Sequence, residues 1–298
     1  MDDCPRLCDE YSARFDYIRA IHKCNGGLAS ARNAGLDSSN ADYVAFVDSD
    51  DYVSPGYVAL LFSLMSHERE IAVFSYSCLL PTRRVDVILP DKTDLPVNEA
   101  VLELYDKGCF NVVWNKLYRR DIIERNQIRF HEKMEPGEDI LFNCLYFRYV
   151  KHAVLSSSCG ICYVQTGNAE ASLSHKFYPN LYEKNCVFIG AVCKLFSFLQ
   201  LHSDKAELVL AKEGLYYFFK TITNMYRTGK TLPRKERLHI FREILGRSDV
   251  RHWFSVRGYR GDMLYRLFWG CFSVHSAFVF DAVFYSLLKG RSLFRRMR

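Results

Sequence analysis

The chain has 298 residues, of which 49% are hydrophobic and 15% aromatic, with 8 prolines and a formal net charge of +6. This composition excludes a disordered or low-complexity protein, and the length suits one large domain or a catalytic domain with a helical extension. No apolar run reaches the roughly twenty residues needed to cross a bilayer, so no transmembrane helix is predicted.

Helical and strand patterns alternate over the first hundred residues. Predicted helices cover 5–15, 28–36 and 55–68, and predicted strands cover 17–21, 43–47, 71–76 and 84–89. A helix over 138–149 and a strand over 153–165 follow, and helical periodicity dominates from residue 178 onward. We therefore predict an α/β fold with a mostly parallel, Rossmann-like sheet flanked by helices. The expected division is a sheet domain over 1–176 and a helical region over 177–298.

Two carboxylates stand directly after the apolar run 43–47. Asp48 and Asp50 are one residue apart, and in open α/β sheets ligands bind outside the carboxyl ends of the strands. Hard divalent cations such as Mg²⁺ and Mn²⁺ prefer oxygen ligands and also bind phosphate oxygens, so this pair suits a metal that assists a departing diphosphate. An Asp-x-Asp by itself also serves turns and helix caps, which is the alternative interpretation.

The surrounding sequence resembles family 2 glycosyltransferases of the GT-A fold. The resemblance is carried by NGGLASARNAGL over 25–36 and by YVAFVDSDD over 43–51. It implies a nucleotide-sugar donor, usually a UDP-sugar, with Mg²⁺ or Mn²⁺ bridging Asp50 and the diphosphate, and with Asp48 toward the ribose and the metal. It also places Gly27, Arg32 and Asn33 beside the nucleotide; a structural role in bracing the loop is the alternative for the last two.

A second region is similar to the acceptor side of this family. It comprises NVVWNKLY over 111–118 and EPGEDILFN over 135–143. The resemblance implies that Asp139 is the general base for the acceptor hydroxyl, with Glu138 as the alternative base and simple helix capping as the competing interpretation. Trp114 and Lys116 are expected on the acceptor side, although Trp114 fits the core equally well.

The segment ASLSH over 171–175 resembles the part of the family that follows the last strand of the sheet. By this resemblance His175 approaches the diphosphate or the metal. The alternative is a solvated loop histidine.

The C-terminal part is basic and aromatic. Its cationic residues include Arg257, Arg260, Arg266, Lys289, Arg291, Arg295, Arg296 and Arg298. Basic helices with aromatic neighbours such as Trp269 suit an anionic membrane surface, and a solvated helix face is the alternative. No nucleic-acid-binding motif accompanies the cluster, so no nucleic-acid partner is expected. Eleven scattered cysteines and no secretory signal pattern predict a reducing cytoplasm, with peripheral placement at the inner face of the cell membrane.

The family begins with a strand, a helix and a second strand for which this sequence has no counterpart before its NGGLASARNAGL segment, so an N-terminally truncated domain is expected. The resemblance implies inverting, metal-dependent transfer of a sugar to an acceptor hydroxyl on a sugar or a lipid-linked glycan, in polysaccharide biosynthesis. An inactive scaffold, or a membrane-surface partner of another glycosyltransferase, is the alternative function.

Overall fold

The computed structural model describes residues 3–65, 69–165, 176–227, 230–256 and 263–296. The strands are β1 Tyr43–Ala45, β2 Tyr52–Val53, β3 Ile71–Leu80, β4 Arg83–Val87, β5 Lys92–Pro96, β6 Lys116–Arg119 and β7 His152–Val164. The helices are α1 Cys4–Arg14, α2 Gly27–Ser38, α3 Tyr57–Leu64, α4 Val97–Asp106, α5 Arg120–Arg125, α6 Glu138–Tyr146, α7 Leu181–Phe198, α8 Asp204–Met225, α9 Arg234–Gly246, α10 Ser248–Ser255, α11 Met263–Val274 and α12 Ala277–Arg296. A 3₁₀ turn over Phe147–Tyr149 joins α6 to β7.

The strands form one mixed sheet in the order β1-β6-β3-β7-β2, with β4 added to β3 and β5 to β7. Within the described ranges, the β3–β7 pair is parallel and the other paired strands are antiparallel. The sheet flanked by helices and the helical C-terminal region are confirmed, but the mostly parallel pairing is wrong. An apolar run reports that a strand is buried on both faces, and it carries no information about the direction of its neighbours.

The first strands differ most from the sequence predictions. Residues 17–21 form no strand; the chain turns there, with the amide of Ile18 donating to the carbonyl of Phe15. The run 43–47 pairs only over Tyr43–Ala45, and Val47 is 49% exposed. Among the described residues β1 pairs on one side only, with β6, so it lies at an edge of the sheet. An apolar sequence alone does not reveal an edge position.

The sheet and the helical region share one core. Strand β3 is completely buried over 71–74, helix α6 packs against α7, and α4 packs against α8. A single cluster of buried apolar side chains includes Phe142 of α6, Phe188 of α7 and Phe218 of α8. The proposed boundary near residue 176 therefore does not interrupt the packing. None of the described helices has an apolar stretch of the length that a bilayer crossing needs.

A buried ion pair fastens the last helix to the rest of the helical region. The guanidinium of Arg237 on α9 donates to both carboxylate oxygens of Asp281 on α12, at 2.7 and 3.2 Å. The hydroxyl of Tyr226 donates to Asp281 Oδ1 at 2.7 Å, and Arg234 lies 3.4 Å from Oδ2. One carboxylate thus receives two cations and a hydroxyl, so its charge is fully compensated.

Candidate functional site

Arg32 gathers three carboxylates from distant parts of the sequence. This α2 residue is only 8% exposed. Its guanidinium donates to Asp48 Oδ1 at 2.8 Å, makes a close hydrogen bond to Asp139 Oδ1 and lies 3.5 Å from Glu138 Oε1. The acids from the two halves of the predicted site therefore meet at one arginine.

Local chain geometry positions each of these residues. The turn before α2 is closed by Asn25, whose Oδ1 accepts from the amide of Gly27 at 3.0 Å, and Gly27 has φ +82°. The loop after β1 turns at Asp48, whose carbonyl accepts from the amide of Asp51 at 3.1 Å. Both contacts are local, so the sequence near each residue fixes its place.

Helix α6 begins after a glycine that no other residue can replace without a clash. Gly137 has φ +107°, and a Cβ built there would lie 2.0 Å from Cζ of Phe188 on α7. The close approach lets α6 start with Glu138 and Asp139 in its first turn. Acids at that end interact favourably with the helix dipole.

Aromatic rings surround the arginine and reduce its access to water. The guanidinium lies 5.3 Å from the ring centroid of Phe130 and 6.0 Å from that of Phe46, and Phe130 stacks on Phe142 at 4.2 Å. Arginine faces are commonly stabilised over such rings. The ion pairs of Arg32 therefore lie in a medium of low polarity, where charge interactions are strong.

The cluster holds more negative than positive charge. Burial raises the pKa of Asp139 to about 7, the Glu138 and Asp48 charges act in the same direction, and Arg32 opposes them. For Arg32 burial acts to lower the pKa, but the surrounding acids outweigh it and raise the pKa above its usual value. Among the described residues, the buried Oε2 of Glu138 has no hydrogen-bond partner. The cluster therefore contains uncompensated negative charge and an unsatisfied carboxylate oxygen.

Comparison with known proteins agrees with this arrangement. The family model described as glycosyl transferase family 2 matches residues 1–127. Residues 1–127 are therefore similar to glycosyl transferase family 2 domains. The uncharacterized glycosyltransferase EpsJ of Bacillus subtilis is 29% identical over 182 residues, covering 57% of this chain and 51% of EpsJ. The poly(ribitol-phosphate) beta-N-acetylglucosaminyltransferase TarP of Staphylococcus aureus is 26% identical over 127 residues, covering 42% of this chain and 38% of TarP. The chain spans about half the length of the curated relatives it matches.

The fold extends the likeness beyond the family match. The crystal structure of S. aureus TarS 1-349 in complex with UDP-GlcNAc superimposes with a TM-score of 0.67 at 16% identity, over 97% of this chain and 80% of that one. The chain therefore has the glycosyltransferase fold of TarS, including a helical C-terminal region.

The oxygen atoms of Asp48 and Asp50 fit part of a coordination sphere for a hard divalent cation. Asp50 is exposed, and the side chain of Asp48 is 27% exposed while Arg32 occupies one of its oxygens. The described residues contain no group of three or more potential histidine, cysteine, aspartate or glutamate ligands. Further ligands would have to come from phosphate oxygens and water, as is usual for Mg²⁺. His175 lies outside the described residues.

Asp51 belongs to the same loop and was missed by the sequence analysis. Its Oδ1 accepts from the amide of Val164 at the end of β7, at 2.9 Å, and its buried Oδ2 has no partner among the described residues. Burial raises the pKa of Asp51 to about 6; the hydrogen bond from Val164 opposes this, and the Asp50 and Asp48 charges add to it. The only sequence signal for Asp51 was its place as the third acid of the DSDD run. Its contact with β7 joins residues far apart in sequence, so the sequence did not predict it.

The structure favours the bracing role for Asn33. Its Nδ2 donates to the carbonyl of Phe130 at 2.9 Å, and its Oδ1 accepts from the amide of Phe130 at 2.8 Å. Both ends of the amide are therefore engaged by backbone, as the bracing role requires. Gly27 is exposed at the start of α2, where a Cβ would lie 3.4 Å from Glu135 Oε2.

Lys116 does not face an acceptor, contrary to expectation, because its side chain is completely buried. Its ammonium donates to the carbonyls of Cys109 and Val112 and to Asn115 Oδ1. Burial lowers the pKa of Lys116 to about 7, against the opposing influence of the Cys109 thiol and Asp139. Lys116 therefore holds the 109–115 loop together from inside.

Trp114 occupies the core position that was the alternative interpretation. It is 4% exposed, stacks on Tyr163 at 5.4 Å and meets the edge of Tyr76 at 4.6 Å. Contact with an acceptor sugar would require its neighbours to move first.

Proposed function

We propose that this chain is a glycosyltransferase that moves a sugar from a nucleotide-diphosphate donor, a UDP-sugar, to an acceptor hydroxyl with inversion. The observation that carries the proposal is the buried Asp139, held with Glu138 and Asp48 on Arg32 and having a pKa raised to about 7. A general base is most effective when its pKa lies near the working pH.

Asp139 would accept the proton of the acceptor hydroxyl as the acceptor oxygen bonds to the anomeric carbon. The bond between that carbon and the diphosphate oxygen breaks on the opposite face, so one direct displacement inverts the configuration. When bound by Asp48 and Asp50, Mg²⁺ or Mn²⁺ would supply charge neutralisation for the departing diphosphate. Glu138 remains the alternative base, because its buried Oε2 has no hydrogen-bond partner among the described residues.

Arg32 would act as the positioning residue of this site. Its two terminal nitrogens donate to Asp48 and Asp139. Arg32 would therefore fix the position of the proposed base relative to the proposed metal-binding loop. This is the bracing role that was the alternative to a direct nucleotide contact.

The similarity to TarP, and to the minor teichoic acid biosynthesis protein GgaB of B. subtilis, supports a place in cell-surface or exopolysaccharide synthesis. We propose a sugar or lipid-linked glycan as acceptor. An enzyme using cytoplasmic nucleotide sugars on such an acceptor would work in the cytoplasm at the inner face of the membrane.

Calorimetry with UDP tests the proposal directly. The chain is expected to bind UDP more tightly with Mn²⁺ or Mg²⁺ than with EDTA, and Asp50→Asn should remove this metal dependence. Asp139→Asn should retain binding of UDP-GlcNAc or another UDP-sugar but lose its turnover. Failure to bind UDP with either metal would instead favour the inactive-scaffold alternative.

A further inference from the structure

Positive charge is concentrated in the last quarter of the chain. Residues 231–298 contain 14 of the 40 lysines and arginines but only 5 of the 34 aspartates and glutamates, a net charge of +9 in a chain whose total is +6. Residues 1–230 therefore carry a net charge of −3. This asymmetry attracts an anionic partner to the helical end of the molecule and not to the sheet.

Large apolar side chains are exposed in the same part of the molecule. Phe278 on α12 is 55% exposed, Tyr285 lies two turns farther along the same helix and is 46% exposed, and Val274 at the end of α11 is 59% exposed. Residues seven apart lie on one face of a helix, so Phe278 and Tyr285 form a stripe. Single exposed apolar residues are common, but two half-exposed rings on one face of a helix form a patch. The ring of Tyr285 also contacts Tyr226 at 6.2 Å and Arg237 at 5.5 Å, which fixes its orientation.

Two arginines of α9 stand beside the exposed ring of Phe278. The guanidinium carbons of Arg234 and Arg242 each lie 5.9 Å from its centroid, and both side chains are exposed. Asp281, the nearby acid, is buried, pairs with Arg237 and lies 3.4 Å from Arg234, so it offsets part of the charge of Arg234. Asp281 is the acid that the sequence of α12 contains, so the charge of Arg242 is not offset by an exposed acid of this helix.

We infer that this surface docks on an anionic lipid bilayer, and we call it the basic–aromatic face: Arg234, Arg242, Val274, Phe278 and Tyr285. Rings between cations match a lipid interface, where aromatic side chains enter the headgroup layer and guanidinium groups meet lipid phosphates. Because none of the described helices can span a membrane, the contact lies on the surface. A nucleic acid would use the cations but would leave the aliphatic Val274 without a role.

The placement suits the proposed function, since a lipid-linked acceptor would be presented at the same surface. The docking itself needs neither donor nor acceptor. Vesicle binding can therefore fail while UDP binding succeeds, or the reverse, and the two proposals are judged separately.

Vesicle co-sedimentation of the full chain tests the inference. The chain is expected to pellet with mixed phosphatidylcholine–phosphatidylglycerol vesicles and to remain in solution with phosphatidylcholine alone. The double variant Arg242→Glu/Phe278→Glu should lower the partition coefficient at least about tenfold, because it reverses a charge and removes a ring at the interface. Raising NaCl from roughly 0.1 to 0.5 M should weaken binding, since it shortens the Debye length.

The control is Arg83→Glu/Phe62→Glu, which makes the same two replacements at exposed positions of β4 and α3. It changes the net charge by the same amount and is expected to bind as the unmodified chain does. Equal loss in both variants would show that net charge alone governs binding and would overturn the assigned face. Equal pelleting with both kinds of vesicle, or with neither, would overturn the anionic bilayer as the partner.

Discussion

Two buried arginine–aspartate clusters in the described part of the chain differ in charge balance. In the sheet domain Arg32 faces three carboxylates, and one of them has a buried oxygen for which the described residues offer no hydrogen-bond partner. In the helical region Asp281 receives Arg237, Arg234 and the hydroxyl of Tyr226. The first cluster has an excess of acid, and the second is fully compensated.

This difference separates a candidate reactive cluster from a structural one. Burial dominates at Asp139 and raises its pKa to about 7. At Asp281 burial acts in the same direction, but the hydrogen bonds from Arg237 and Tyr226 outweigh it and lower the pKa. A perturbed acid that remains under-compensated is a candidate for proton transfer, whereas a compensated one only links helices.

The variant Asp139→Asn tests whether the Arg32 cluster takes part in sugar transfer. We expect sugar transfer to fall about 10²–10⁴-fold, the usual contribution of a general base. The fold should be retained, because the change removes one of several like charges. Product formation from a UDP-sugar and the thermal unfolding midpoint are measured together, with exposed Asp16→Asn as control. Transfer at the unmodified rate would shift the assignment to Glu138.

The variant Asp281→Asn tests whether the Arg237–Asp281 cluster stabilises the helical region. The buried guanidinium of Arg237 loses its countercharge, so we expect the free energy of unfolding to fall by about 3–5 kcal/mol. Urea unfolding measures the loss. The matched double variant Arg237→Met/Asp281→Leu removes both charges and should recover most of it. If the double variant is as unstable as the single one, packing and not charge is the cause.

The two clusters should respond to pH in opposite directions. The raised pKa of Asp139 means that the folded state keeps a proton that the unfolded state releases, so this group's contribution to stability falls between about pH 4 and pH 7. The lowered pKa of Asp281 contributes stability that is present above its unfolded pKa and is lost as pH falls through its folded pKa. Transfer should decline about tenfold per pH unit below about pH 7. A flat rate from pH 5 to pH 8 would exclude Asp139 as the titrating base.

The smallest effect is expected for Asn33→Ala. It removes two partly buried hydrogen bonds to the backbone of Phe130 and should cost about 1–2 kcal/mol of stability. The affinity for UDP, measured by calorimetry, should stay unchanged. A selective loss of UDP binding at unchanged stability would restore the nucleotide contact first expected for this residue.

Local patterns in the sequence predicted well what depends on neighbouring residues. Helix α2, the long strands β3 and β7, and the acids after β1 and at the start of α6 were all found, because periodicity and turn residues are local signals. Partner choice was not predictable. The sequence around Arg32 does not show that its partners are acids 16 and 107 residues away, and nothing beside Lys116 shows that its ammonium points inward.

Gly137 connects the candidate base to the helical region by direct contact. Because the ring of Phe188 lies where a side chain on this glycine would be, the first turn of α6 is shaped by α7. Helical regions from related proteins are therefore not interchangeable modules. A chimera that replaces residues 177–298 should keep its base in place only if it supplies an equivalent ring at position 188.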